Sequence, residues 1–267
     1  EAHDFNNKSI HVIRNVGLKH DNAAYAQSDG AFQAALASYN RRDCNDPCKD
    51  RSASGCKGLL LLRRLGFQPL RILDIGANRG DWTRTHLKIF PWAKFHMIDG
   101  SDHQKDWKDI VQAGNVETAS NTILSKSSKV VQWFGKGTTA DSLFKEETAG
   151  FSKLGGVTRQ SLSLDDLVHQ RGWGRSFELV KIDVQGAELL VLSGAPEVLA
   201  CAEVLLLEMP VAGSYNKGAP RFAEYIAFLE AVGFVPFDAV EDHRIPLHGI
   251  GINAKSGYLI QIDFVFV

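Results

Sequence analysis

The sequence predicts an α/β fold whose mostly parallel sheet is covered by helices on both faces. Three observations carry that reading. From residue 58 onward, short β-branched apolar runs alternate with segments of helical period, the order expected when parallel strands return through helical crossovers. Several of these runs, RILDIG (71–76), FELVKID (177–183) and AEVLLLEM (202–209), are apolar at nearly every position rather than every second one, as strands buried on both faces are. The first run also breaks at its end into glycines around a polar residue, where open α/β sheets carry their ligands.

The elements follow in order. GLLLLRRLGF (58–67) reads as a short helix ending at a glycine, RILDIG as the first strand and DWTRTHLKIF (81–90) as the next helix. AKFHMIDG (93–100) is a strand, and HQKDWKDIVQAG (103–114) a helix closed by Gly114 at a C-cap position. One strand is expected near NVETASNTILS (115–125) and a further one at KVVQWF (129–134), followed by the Gly/Thr/Ser loop GKGTTADSL (135–143) and a second loop. SLSLDDLVHQRG (161–172) carries a helix start, with Ser163 three residues before Asp166. FELVKID leads into helix AELLVLSGA (187–195), and AEVLLLEM into helix PRFAEYIAFLEAVG (220–233). FVPFDAV (234–240) and YLIQIDFVFV (258–267) have no helix between them, so one runs antiparallel.

Residues 1–57 read as an N-terminal extension with one helix, GAFQAALASYNRR (30–42), in which Phe32, Ala35, Leu36 and Tyr39 fall at helical spacing. Residues 58–267 form the main domain. Cys44, Cys48 and Cys56 cluster without a fourth thiol or a neighbouring histidine, which lacks zinc-site spacing; they read as thiols, with a disulfide between two of them as the alternative.

Bulk properties narrow the function. The 267 residues are 44% apolar and carry a net charge of -1 with both signs interspersed, so no basic field points to nucleic acid. Apolar stretches such as GLLLL (58–62) fall far short of the roughly 20 residues that span a bilayer, which predicts a soluble segment without membrane insertion. The chain opens on Glu1 without a secretory signal, leaving room for a processed upstream piece; a cytoplasmic location is favoured. Small-molecule chemistry remains.

The stretch LDIGANRGD (73–81) closes the first strand. Gly76 and Gly80 permit torsions and close approach that a Cβ forbids, and Asn78 tolerates positive φ, so the turn is built for something to touch main chain. Its G-x-x-x-G spacing differs from the dinucleotide G-x-G-x-x-G, and Asp81 stands where a phosphate would be repelled. A ligand with a cationic centre near Asp74 fits better. Roughly 20 residues on, Asp99 ends the second strand, placed to accept both hydroxyls of a ribose.

On these residues, LDIGANRGDW followed by FHMIDG, the chain resembles class I S-adenosylmethionine-dependent methyltransferases. Within them, VKIDVQGAELLVLSGAPEVL (180–199), with TRQSLSLDDLV upstream, LLLEMP downstream and the closing IQIDFVFV, resembles the FkbM family. The resemblance covers roughly residues 58–267. It implies a Rossmann-like, doubly wound, seven-stranded sheet with an antiparallel C-terminal strand, and S-adenosyl-L-methionine as cofactor. It also implies that Asp74, Gly76, Asn78 and Gly80 line the methionine part, that Asp99 holds the ribose, that Ser101, close after that acid, also contacts the cofactor, and that Ser125 stands on the adenine side. Two positions depart from the family's usual residues: Gln185 replaces Glu, and Asp99-Gly100 replaces Glu-Pro.

Asp183, at the end of the fourth strand, is expected to order the acceptor or take its proton, with Glu208 at the fifth strand end beside it. Together they offer oxygen ligands to a divalent cation, which the sequence allows without requiring. Glu188 reads equally as a helix cap. His243, in a loop after the sixth strand, is the histidine best placed as a general base, whereas His86, His96 and His169 read as structural or exposed. Trp82 and Trp133 read as packing. The small residues of GKGTTADSL would let that loop fold over substrate. The leading expectation is O-methylation of a hydroxyl on a sugar or a glycosylated or polyketide-like small molecule, the acceptor class coming from the resemblance. A catalytically silent cofactor-binding module is the alternative, distinguished by whether Asp183 and Glu208 face an open crevice. A nicotinamide oxidoreductase is disfavoured by the glycine spacing and Asp81.

Overall fold

The computed structural model describes residues 56–112, 114–147, 151, 153–211, 216–246 and 257–267. The helix expected at 30–42 and the thiols of Cys44, Cys48 and Cys56 lie outside what is described. Cys201 is a free, partly buried thiol.

Alternation of apolar strands and amphipathic helices produces the expected layers. Helix α1 (Cys56–Arg64) precedes β1 (Arg71–Ile75), α2 (Asp81–Ile89), β2 (Lys94–Ile98), α3 (Lys108–Gln112) and β3 (Val116–Ala119). Then follow β4 (Ile123–Leu124), β5 (Lys129–Trp133), β6 (Val157–Leu162), α4 (Leu164–Gln170), β7 (Leu179–Ile182), α5 (Glu188–Ser193), α6 (Pro196–Leu199), β8 (Val204–Pro210), α7 (Phe222–Ala231), β9 (Pro236–Pro246) and β10 (Gly257–Phe266).

Among the described residues the main sheet has seven strands in the order β3-β2-β1-β7-β8-β10-β9. The first five pair in parallel, β10 runs antiparallel to β8, and β9 antiparallel to β10. The chain winds outward from β1 through β2 and β3, then returns to β7 on β1's other side. That reversal opens a crevice at the carboxyl ends of β1 and β7.

Both sheet faces are apolar, which accounts for the unbroken runs in the sequence. In β8, Leu205, Leu207 and Met209 enter one buried cluster with Val191, Leu192 and Tyr225 of α5 and α7. Val204 and Leu206 enter the other with Leu59, Trp82 and Trp107. Ser163 caps α4 as expected, its hydroxyl accepting the Asp166 N–H at 3.1 Å.

Three local expectations need correction. Helix α3 begins only at Lys108, because His103 O accepts from the N–H groups of Asp106 and Trp107 in a turn ahead of it. Residues 157–162, read as loop, form β6; its polar, largely exposed side chains give no core signal, and the strand exists through its pairing with β4 and β5 in a separate three-stranded sheet. β9 continues past 240 to Pro246, so His243 lies within a strand rather than in a loop after it. Its pairing with β10 extends the strand through residues too polar to announce it.

Candidate active site

The β1–α2 turn brings main chain to the crevice. Gly76 has φ +74, and a Cβ there would lie 1.7 Å from the Asp183 carbonyl oxygen, so only glycine lets the ends of β1 and β7 meet. Asn78 has φ 44. Gly80, φ +86, serves a different purpose from the one expected: a Cβ would meet Ile110 and Met97 at 2.6 and 2.9 Å, and the residue does not line the cleft. It lets α2 start against α3 and β2.

Asp99 is 8% exposed and lines the cleft. Its Oδ2 accepts the Asn78 N–H and its Oδ1 the Ser101 N–H, each at 2.8 Å. Each carboxylate oxygen keeps acceptor capacity for a ligand. Burial pushes its pKa up, partly offset by those two N–H groups.

Asp74 does not line the cleft. It is fully buried, its Oδ2 accepting the Thr83 hydroxyl at 2.6 Å and its Oδ1 lying 3.2 Å from Lys181 Nζ. Direct parallel register, Asp74 opposite Lys181, forces the meeting. Lys181 in turn donates to the Gly76 carbonyl at 2.9 Å and lies 3.4 Å from Asp183 Oδ2. Burial opposes its ammonium, but Asp74 and Asp183 outweigh it and hold the Lys181 pKa above its ordinary value. The sequence signal was a lysine inside a strand otherwise apolar on both faces.

Neither serine assigned to cofactor binding, Ser101 or Ser125, lines the cleft. Ser101 donates its hydroxyl to Asp141 Oδ2 at 2.5 Å. Asp141 also accepts the N–H groups of Lys136, Gly137 and Thr138, so this pair pins the 135–143 loop onto the β2 end. Ser125 is fully buried, its N–H donating to the Leu162 carbonyl at 2.8 Å. The end of the cleft beside Asp99 is instead walled by Gly100, Thr122, Ile123, Leu124 and Trp133. Trp133 fits because residue 100 is glycine; a Cβ there would meet its ring at 2.4 Å.

At the other end, Gln185 Nε2 donates to Asp183 Oδ1 at 3.0 Å and to Glu208 Oε2 at 2.7 Å. An amide therefore stands between the two carboxylates, in the place the sequence left open to a cation held jointly by them. Gln185 takes φ 54, and its carbonyl accepts the Ser142 hydroxyl from the covering loop. Burial, and then the nearby Asp183 and Asp263 carboxylates, push the Glu208 pKa well above the ordinary range. His243 Nε2 lies 4.0 Å from Glu208 Oε1, so the strand placement still brings this histidine to the rim. Glu188 stays out of the cleft as a fully buried clamp: Oε1 accepts the Val184 and Gly186 N–H groups, and Oε2 the Tyr225 hydroxyl at 2.5 Å.

Gly76, Asn78, Asp99, Asp183, Glu208 and His243 thus line one cleft of about 630 Å3, together with Gln185 and with Lys181, Glu241 and Asp263, which the sequence reading did not single out. Among the described residues the mouth stands open, a volume in the range of small-molecule sites.

No curated protein matches the chain. Among solved structures it is similar to the methyltransferase FkbM from Methylobacillus flagellatus KT, at 11% identity and a TM-score of 0.44, over 96% of this chain and 60% of that one. It is also similar to Aeropyrum pernix fibrillarin in complex with natively bound S-adenosyl-L-methionine, at 13% identity and a TM-score of 0.41, over 75% of this chain and 67% of that one. The methyltransferase FkbM domain matches residues 74–236, which run from the Asp74 strand through Asp99, Asp183 and Glu208 to the start of β9. With more than half of its length matched, the chain belongs to the methyltransferase FkbM domain family.

Proposed function

We propose that the chain is an S-adenosylmethionine-dependent O-methyltransferase acting on a hydroxyl of a sugar or a glycosylated or polyketide-like small molecule. The observation that carries this reading is one continuous cleft with a ribose-type carboxylate at one end and a carboxylate and imidazole cluster at the other. The residues fit the cofactor. Gly76 presents bare main chain where a Cβ has no room, and Asp99 keeps an acceptor on each oxygen for a diol. S-adenosylmethionine bound there would supply the methyl group and a sulfur leaving group that takes the electron pair.

Lys181 fixes Gly76 and Asp183 together and so sets the donor end against the acceptor end. Asp183 accepts the hydrogen bond of the acceptor hydroxyl and then its proton, and Glu208 and His243 form the facing wall that orders the rest of the acceptor. Alignment is the main catalytic contribution such a site makes, on the order of 7–11 kcal/mol in ideal cases. The residues 1–57 are proposed as a separate extension on a methyltransferase domain of residues 58–267.

The test is calorimetric titration of the purified chain with S-adenosylhomocysteine, paired with thermal melting, since a ligand that binds only the native state raises its stability. Asp99→Ala is expected to weaken binding at least tenfold. Asp183→Asn is expected to retain binding yet lose methyl transfer to a panel of saccharide and polyketide hydroxyls. Tighter binding of NAD than of S-adenosylhomocysteine would sink the proposal.

A further inference from the structure

Beyond the ribose and acceptor groups, the outer strands of the sheet carry a line of acids. Antiparallel register places Glu208 of β8 directly opposite Asp263 of β10, and Asp263 directly opposite Glu241 of β9. All three line the same cleft. Like charges directly opposite one another on adjacent strands are destabilising. Lys181 and Arg79 are the only lysine or arginine among the described lining residues, and Lys181 is engaged by Asp74, Asp183 and Gly76. Arg79 stands on the β1–α2 turn, away from these outer strands.

Into this line comes His243 from β9. One ligand atom each from Glu208, His243 and Asp263 lie within 4.8 Å of one another, with Glu208 and Asp263 largely buried. Two atoms 4.8 Å apart can both touch an ion at about 2.4 Å, the reach of carboxylate and imidazole ligands to a divalent cation. Three donors from three neighbouring strands, facing a cleft, leave the ion's remaining positions toward the cavity. One imidazole and two carboxylates suit a borderline metal of the manganese or iron class better than calcium or magnesium.

We propose that Glu208, His243 and Asp263 form a divalent-cation site at the acceptor end of the cleft. Its ligands differ from the Asp183 and Glu208 pair that the sequence brings to mind, since Gln185 already bridges those two. His243 and Asp263 also lie beyond the residues that match the family. The ion would hold the acceptor oxygen and leave Asp183 to take the proton. That role rests on the methyltransferase reading, whereas binding of the ion does not.

Manganese is the probe. In an electron paramagnetic resonance titration of the full chain freed of metal, one saturable Mn2+ site is expected. Its affinity should fall at least tenfold in His243→Ala and in Asp263→Asn. S-adenosylhomocysteine titration of the same samples checks that each variant is folded. No saturable Mn2+ binding to wild type, or unchanged affinity in both variants, overturns the site. Saturable Mn2+ binding lost in the variants, with no S-adenosylhomocysteine binding to wild type, upholds the cation site and instead rejects the methyltransferase reading.

Discussion

The residue with most control over this site is Lys181. Its ammonium touches the Asp74 carboxylate, the Asp183 carboxylate and the Gly76 carbonyl, and so joins the β1–α2 turn to the end of β7. Removing one partner of a buried ion pair strands the other charge, at a cost of about 3–5 kcal/mol. Lys181→Met is therefore expected to lower the unfolding free energy measured in urea by that amount, and Asp74→Asn in the same chain to restore part of it. A loss below about 1 kcal/mol would mean that the pair is not holding the turn.

At the scale of elements, the β7–α5 connection stands out. Gln185 and Gly186 both take positive φ, and the strained turn is held from beneath by Glu188, whose carboxylate gathers two of its N–H groups and the hydroxyl of Tyr225 on α7. Burial raises the Glu188 pKa to about 6 from the ordinary 4.5. The folded state therefore keeps this proton longer than the unfolded chain does. The stability it confers is complete below about pH 4.5 and is lost as pH rises through about 6, on the order of 2 kcal/mol. Glu188→Gln imitates the protonated form, keeps the two N–H acceptors, and is expected to flatten that slope when urea unfolding is measured at pH 4.5 and 7. A slope equal to wild type would remove Glu188 as its source.

For the whole molecule, two buried histidines that do not line the cleft make acid destabilising. His86, with Nδ1 2.8 Å from the Trp82 carbonyl, is lowered by burial to about 3, and His96, between Trp173 and Phe177, is lowered by burial to about 4, both from 6.5. As pH falls below 6.5 the unfolded chain takes up protons that the native state refuses, so stability is lost down to those folded values. Glu188 contributes with the opposite sign between 4.5 and about 6, as do Glu208 and Asp99, whose pKa values burial also raises. The part of the slope carried by His96 is expected to be a loss on the order of 2 kcal/mol between pH 6.5 and 4.5 in urea unfolding. His96→Leu should shrink it, and a loss undiminished in that variant would exclude His96 as a contributor.

What the sequence determined by itself was everything written locally: apolar runs that must be buried on both faces, the Ser163 cap, the glycine turn at 76, and the carboxylates at successive strand ends, Asp99, Asp183 and Glu208. The family resemblance rested on those residues and implied a seven-stranded sheet, whose strand order came with the structure. What only the tertiary structure decided was the partner of each polar group. Asp74 looks like a ligand residue in a string of letters, yet register sets it against Lys181; Ser101 and Ser125 look like cofactor contacts, yet one pins a loop and the other is sealed away. Gln185 reads as a departure from a family pattern until it is seen bridging two acids, and β6 and the long reach of β9 exist only because a neighbouring strand completes their hydrogen bonds. Periodicity records whether a side chain faces core or solvent, but cross-strand register and loop return set which charge meets which, across 105 residues of chain between Gly76 and Lys181.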